Sequence, residues 1–181
     1  MKYKGMVMKN IEEVLAQYKS VHFNKTNIVT HFIGIPLIIW AVTLLLSLNV
    51  FHIEIFSMSV LLTPAYVFFT CALIYYFMLH IKLAIGMTLY VAINLYLVSF
   101  VTSQPSALYI AIIVFVIGWV FQFIGHYYEK AKPAFVDDLG QFLIGPLFLL
   151  AEVYFLLGWE KPLEEKITPI AITKRKALSH S

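Results

Sequence analysis

The most regular feature of this 181-residue sequence is a series of long apolar runs separated by short polar segments. Thr26 to Ile53, Ile55 to Leu79 and Leu83 to Tyr128 contain no Asp, Glu, Lys or Arg. A bilayer crossing needs roughly 20 consecutive apolar residues. The pattern therefore predicts an all-α, polytopic membrane helix bundle, whose short connections make consecutive helices antiparallel neighbours.

The apolar runs divide into four regular spans and a fifth, less regular segment. We predict spans at 31–50, 60–79, 83–101 and 107–125. The fifth segment, 139–159, is predicted to be broken or partial, because Gly145-Pro146 and Glu152 interrupt it. The prediction is thus four to five transmembrane segments.

Polar sequence flanks the bundle on both sides. Residues 10–20 place Ile11, Val14, Leu15 and Tyr18 on one stripe, which predicts an interfacial amphipathic helix. Residues 160–181 are interpreted as a polar tail. The length suits one bundle without a second soluble domain, so residues 1–181 are predicted to form a single membrane domain.

Composition supports this class and suggests an orientation. The chain is 61% hydrophobic and 13% charged, against about a quarter charged in soluble domains. Lysines and arginines lie mainly before and after the apolar runs, which places these flanks in the cytoplasm. A bacterial inner membrane and the endoplasmic reticulum both fit. The basic residues lack the interleaved aromatics of a nucleic-acid surface, and the single Cys71 excludes a disulfide framework.

Two groups of polar residues could carry chemistry. His22, Asn24, Asn27 and His31 lie around the start of the first span. Asn27 and His31 are four residues apart, hence on one face if the helix begins early enough. An Asn there can orient a ligating imidazole, or the asparagines can simply cap the helix.

The second group lies at the end of the fourth span. Gln122 and His126 are four residues apart, and His126 and Glu129 are three apart. A histidine near a carboxylate can bind a metal, exchange protons or form an interfacial hydrogen bond. With four crossings both groups fall on the cytoplasmic side, which favours one metal site at the rim of the bundle.

Other polar residues are harder to assign. Glu152 is costly inside an apolar run unless it is neutral, paired or facing a polar cavity, with His126 or a metal as suitable partners. His80 lies on the same side, and its role stays open. Asn94 is almost the only polar residue deep in a span, which argues against a channel or carrier.

These two groups resemble the signatures of the membrane family that contains the 2-hydroxy fatty acid dioxygenases of lipid alpha-oxidation. The first signature is matched by Tyr18, His22, Asn24, Asn27, His31 and Pro36. The second is matched by Gly118, Trp119, Gln122, Phe123, Gly125, His126, Glu129, Lys130, Pro133, Ala134 and Asp137. Lys25 stands where the family often has Pro, and His80 has no clear counterpart.

The resemblance implies an Fe(II) enzyme that uses O2 to shorten a 2-hydroxy fatty acid by one carbon. It implies His22, His31 and His126 as metal ligands, with Glu129 or Glu152 as a carboxylate ligand or as a neighbour of the ligands. Gln122, Asn24 and Asn27 would orient imidazoles or substrate. Lys130 and Lys132 would attract the substrate carboxylate.

Two other functions remain open from the sequence. One is a different metal-dependent enzyme acting on membrane lipids, such as a hydroxylase or hydrolase. The other is a membrane protein that binds lipid without catalysis. Oxygen consumption with a 2-hydroxy acid separates the first from a dioxygenase, and metal removal separates the second from any metalloenzyme.

Overall fold

The computed structural model describes residues 10–55, 58–133, 138 and 140–178. Contacts divide the chain into two compact units: Asn24–Lys130, and Met1–Phe23 together with Ala131–Ser181. Along the chain the described elements are α1 (Ile11–Lys19), α2 (Lys25–Ser47), β1 (Phe51–Ile55), β2 (Met58–Leu62), α3 (Pro64–Leu79), α4 (Ile81–Ser99), α5 (Ala107–Glu129), α6 (Gln141–Leu156) and α7 (Lys161–Leu178). This helical architecture confirms the predicted fold class.

Three of the described helices are long and apolar enough to cross a membrane: α2, α4 and α5, with 23, 19 and 23 residues. Helices α3 and α6 are apolar but have only 16 residues, which is about 24 Å at the usual helical rise. A bilayer core is about 30 Å thick. The apolar helices fit a membrane protein, as predicted, with two elements shorter than full spans.

A β-hairpin between α2 and α3 was not predicted. Strands β1 and β2 pair antiparallel, with Phe51 opposite Leu62 and Ile55 opposite Met58. The predicted spans left only a short connection between residues 50 and 60, and the second span was expected to begin at residue 60, whereas α3 begins at Pro64. The signal was present, because Phe51-His52-Ile53-Glu54-Ile55 alternates apolar and polar residues with the period of a strand.

Helices α2 and α5 pack closely through glycines in the Asn24–Lys130 unit. A Cβ atom on Gly34 would lie 2.7 Å from the Gly118 carbonyl oxygen and would collide with Gln122 Nε2. A Cβ on Gly118 would lie 3.0 Å from the Gly34 oxygen and 2.7 Å from Ile38 Cγ1. Small residues allow such backbone approach between membrane helices, where packing is a main source of association.

The deep polar residue Asn94 has a structural partner in the same unit. Its Nδ2 donates to Thr43 Oγ1 at 2.6 Å, and the Thr43 hydroxyl donates to the Ile39 carbonyl at 2.6 Å. Both residues are buried. The pair satisfies polar groups between α4 and α2, as buried polar atoms require.

The second unit is built from α1, α6 and α7. Leu163, Ile167 and Ala171 recur every four residues along α7 and are buried, and α7 packs on α1. The sequence interpretation described this segment only as a polar tail. The apolar stripe at every fourth residue is the signal of an amphipathic helix.

Charges tie α1 to both of its neighbours. Lys19 Nζ lies 2.7 Å from Glu152 Oε1 on α6, and both side chains are largely buried. The Lys19 ammonium also lies 5.7 Å from the centre of the Phe148 ring. On α7, Lys166 pairs with Glu12 and Lys174 with Glu13, at more exposed positions.

We predict that Gly34→Ala destabilises the protein. Replacing a helical glycine by alanine normally favours the helix by about 1 kcal/mol. Here the added methyl group meets a backbone carbonyl, and overpacking costs roughly 1–3 kcal/mol. The thermal midpoint in detergent should therefore fall. Val120→Leu is the control, because Val120 on α5 is half exposed; an unchanged or raised midpoint for Gly34→Ala would contradict close packing.

We also predict that Lys19→Met destabilises the protein much more than Lys174→Met. Removing one partner of a largely buried ion pair leaves an uncompensated charge and costs roughly 3–5 kcal/mol, whereas an exposed pair contributes about 1 kcal/mol or less. The double variant Lys19→Met/Glu152→Leu should recover part of the loss in chemical denaturation. Equal effects of the two single changes would refute this difference in burial.

Candidate metal centre

Three of the predicted residues lie at the start of α2. Asn24 is the N-cap, and its Oδ1 accepts a hydrogen bond from the Thr26 N–H at 2.8 Å. Because the helix begins at Lys25, Asn27 and His31 lie on one helical face, and both are completely buried. Asn24 therefore takes the capping role that the sequence left open for these asparagines.

Three more of the predicted residues lie near the end of α5. Helix α5 continues to Glu129, four residues beyond the predicted end, so Gln122, His126 and Glu129 lie on its buried face. Lys130 ends the helix with φ of 55°, a left-handed conformation that is uncommon for a lysine. Its N–H donates to the His126 carbonyl at 3.1 Å.

A carboxylate joins these two helix ends. Glu129 Oε2 accepts one hydrogen bond from the Asn24 backbone N–H at 2.8 Å and another from Asn27 Nδ2 at 3.0 Å. Asn24 Nδ2 in turn donates to the Tyr128 carbonyl at 3.2 Å. Residues about a hundred positions apart in sequence therefore share one hydrogen-bonded network.

His31 and His126 lie side by side between α2 and α5. Their ring centres are 4.9 Å apart with planes at 81°, and their ligand nitrogens lie within 4.8 Å of each other. Gly125 makes room for this arrangement. A Cβ atom there would collide with Thr30 Oγ1 and Asn27 Oδ1 and lie 3.1 Å from His31 Nδ1.

A backbone carbonyl determines which His31 nitrogen carries the proton. His31 Nδ1 lies 2.9 Å from the Asn27 carbonyl oxygen. A carbonyl only accepts, so Nδ1 is the donor and Nε2 carries the lone pair of the neutral ring. Of the roles that the sequence left open for Asn27, orienting the imidazole thus belongs to its carbonyl, because its side chain donates to Glu129.

His22 lies in the other unit and is oriented in the same way. Its Nδ1 lies 2.6 Å from the Tyr18 carbonyl oxygen, again four residues earlier, so Nε2 is again the nitrogen with the lone pair. The ring stacks on Tyr18 with centres 4.0 Å apart and planes within 1°. Burial raises the pKa of the Tyr18 hydroxyl, which therefore stays protonated at physiological pH.

This donor chemistry fits a metal of the imidazole-binding class. Ligating histidines usually donate their second ring N–H to a carbonyl or carboxylate, which fixes the ring and its tautomer. His22 and His31 each show that arrangement in their own unit. Neutral imidazole suits Fe(II), Zn and Cu alike, so the donors by themselves leave the metal open.

The remaining predicted residues are distributed more widely. Gln122 is buried, with Nε2 close to Gly34. Lys130 and Lys132 are exposed. Glu152 forms an ion pair with Lys19, so the partner is a residue that the sequence analysis did not consider. His80 caps α4, accepting from the Leu83 N–H at 3.4 Å.

Several contributors escaped the sequence analysis. The backbone carbonyls that orient His22 and His31 cannot be seen in a pattern of side chains. The spacing of four residues in Tyr18–His22 and Asn27–His31 was nevertheless visible. Lys19 was counted only as a basic flank. Gly34 was not singled out, because a glycine inside an apolar run gives no sign of which helix it faces.

Comparison with known proteins gives the chain a family. Residues 8–157 match the family model described as Mpo1-like, 2-hydroxy-palmitic acid dioxygenase Mpo1-like. The chain is 31% identical over 157 residues to the 2-hydroxy-palmitic acid dioxygenase MPO1 of Saccharomyces cerevisiae, with 86% of each chain covered. No solved structure matches. The matched region includes every histidine, asparagine and glutamate described above, and the chain belongs to the Mpo1-like family.

Proposed function

We propose that this protein is an Fe(II)-dependent dioxygenase that shortens 2-hydroxy fatty acids by one carbon, with His22, His31 and His126 as metal ligands. The observation that carries the proposal is the adjacent His31–His126 pair in a chain of the Mpo1-like family. The yeast relative is a dioxygenase of a 2-hydroxy fatty acid by name. The proposal extends that reaction class to this chain.

His22 is included as the third ligand for two reasons. Its Nδ1 donates to a carbonyl four residues earlier, as His31 Nδ1 does, which presents Nε2 for coordination. Only Phe23 separates His22 from Asn24, the residue whose N–H is bound by Glu129. Non-haem iron oxygenases commonly hold Fe(II) with histidine and carboxylate side chains and leave coordination positions open. Three histidines would likewise leave positions open for substrate and O2.

Fe(II), when bound, would supply the redox chemistry that lets O2 react with a 2-hydroxy acid. The protein's own residues orient the imidazoles, as the carbonyls of Tyr18 and Asn27 do for His22 and His31, and would bind the substrate. The family substrate carries a hydroxyl next to its carboxylate, so its head is a chelating pair of oxygens and its tail is apolar. An apolar helix bundle suits such a tail.

The exposed lysines at the end of α5 suit the substrate carboxylate. Lys130 follows directly after the helix whose last turns hold His126 and Glu129, and Lys132 lies two residues further on. An uncommon backbone conformation in a non-glycine residue is often retained where function requires it. We propose that Lys130 and Lys132 attract the fatty acid head group towards the histidines.

The two acidic residues take different places in this proposal. Glu129 is a neighbour of the ligands, because its Oε2 is already occupied by two N–H donors. Glu152 has a structural role, because its ion pair with Lys19 connects α6 to α1. Asn24 caps α2, the Asn27 carbonyl holds the His31 ring, and Gln122 keeps its proposed role in orienting an imidazole or the substrate. The metal side is expected to face the cytoplasm, following the basic flanks.

We predict that His31→Ala and His126→Ala abolish both iron binding and product formation. Purified protein would be loaded anaerobically with Fe(II), and the one-carbon-shorter acid measured by mass spectrometry after O2 addition. Each variant should lose at least about 100-fold in turnover, in keeping with the loss of a group essential to chemistry. His52→Ala is the control, because His52 is an exposed residue of the hairpin.

Two other results of this experiment would contradict the proposed function. Wild-type protein that is folded, binds no iron and leaves a 2-hydroxy fatty acid intact would refute the dioxygenase. Bound iron without product from this substrate would favour another metal-dependent lipid enzyme.

We predict that Lys130→Met raises KM for the 2-hydroxy fatty acid about tenfold and leaves kcat nearly unchanged. Losing one charged contact to a carboxylate costs on the order of 1.4 kcal/mol of binding, which is a factor of ten. Lys161→Met on α7 is the matched control, since Lys161 is also exposed. A fall in kcat at constant KM would contradict a role in attracting substrate.

A further inference from the structure

We infer that Glu129 is a positioning residue: its carboxylate clamps the first turn of α2 to the last turn of α5 and thereby sets the position of His31. The inference rests on the proposed function, since it assigns Glu129 a role beside the metal and not on it. In this role the Glu129 carboxylate acts in part by accepting a hydrogen bond from the Asn24 backbone N–H.

The clamp is a three-point contact within the Asn24–Lys130 unit. Glu129 is buried, with 4% of its surface exposed, and Oε2 accepts from the Asn24 N–H and from Asn27 Nδ2. The third point runs the other way, from Asn24 Nδ2 to the Tyr128 carbonyl. Hydrogen bonds to a carboxylate are about twice as strong as neutral ones, so these bonds fix the two helix ends against each other.

The location of the carboxylate has an electrostatic reason. The first N–H groups of a helix have no partner within the helix, and the helix dipole makes this end positive. Asn24 Oδ1 satisfies the Thr26 N–H, and Glu129 satisfies the N–H of Asn24 itself. An acidic side chain from α5 thus complements the N-terminus of α2, where a negative charge is favoured.

Asn27 connects the clamp to the metal-binding nitrogen. Its side chain donates to Glu129 while its carbonyl accepts from His31 Nδ1. Releasing the side chain frees the first turn of α2, and the carbonyl that holds the imidazole moves with that turn. Loss of such outer contacts typically costs 10–100-fold in metal affinity.

The decisive test isolates the backbone N–H. Asn24 has φ of −72°, which proline adopts without strain, so Asn24→Pro deletes the N–H donor. Asn24→Ala is the matched control, because it loses the same side-chain contacts and keeps the N–H. Fe(II) affinity and the thermal midpoint of the full-length protein would be measured for both variants, with and without Glu129→Ala.

The clamp predicts a specific pattern. Asn24→Pro should bind Fe(II) about tenfold more weakly than Asn24→Ala, and this difference should vanish in the Glu129→Ala background. Glu129→Ala should lose 10–100-fold in affinity, whereas Glu129→Gln, which keeps an acceptor oxygen, should retain most of it. Asn27→Ala and Glu129→Ala should be non-additive, because they break the same contact.

Other patterns would overturn the inference. If Glu129→Gln loses iron as completely as Glu129→Ala while the two Asn24 variants behave alike, Glu129 is a ligand. If the thermal midpoint falls at constant iron affinity, the contact only stabilises the fold. If the wild type binds no iron, the proposed function fails, but the thermal midpoints still test the contact between the helices. A difference between Asn24→Pro and Asn24→Ala that disappears in the Glu129→Ala background supports the clamp. A difference that is the same in both backgrounds refutes it.

Discussion

The close approach of α2 and α5 is the constraint on which the Asn24–Lys130 unit depends. Gly34 and Gly118 remove the side chains that would separate the two backbones. Without that approach, neither the His31–His126 pair nor the contact of Glu129 with Asn24 and Asn27 could form. Packing and hydrogen bonding are mutually dependent here, because apolar lipid gives helices little other reason to associate.

His22 and His31 are oriented in the same way, although they lie in different units. His22 and His31 both donate from Nδ1 to the carbonyl four residues earlier, which fixes the tautomer without a charged partner. The nearby acidic residues are engaged elsewhere: Glu129 with Asn24 and Asn27, and Glu152 with Lys19. In both units a backbone carbonyl therefore orients the ring, while the carboxylates bond to groups on neighbouring helices.

Residue spacing predicted correctly which of the candidate residues share a helical face. Gln122, His126 and Glu129 share a helical face as their spacing required, and Asn27 and His31 do so because α2 begins early. Roles were less predictable. The sequence left the Asn27 side chain either orienting His31 or capping the helix, whereas it donates to Glu129. Pairing was one of the three states expected for Glu152, but the suggested partners were His126 or a metal, and the observed partner is Lys19. Those roles depend on which groups approach across helices, which spacing within one helix does not encode.

Hydropathy alone determined that this is a membrane helix bundle, because the apolar runs have membrane length and are flanked by polar sequence. The motif spacing around His22, His31 and His126 sufficed to indicate the family, because local spacing survives in the linear chain. Only the tertiary structure decided that α7 packs on α1, that Lys19 pairs with Glu152, and that Glu129 binds the start of α2. Each of these depends on contacts between residues more than a hundred positions apart, whose energies arise only once the helices have packed.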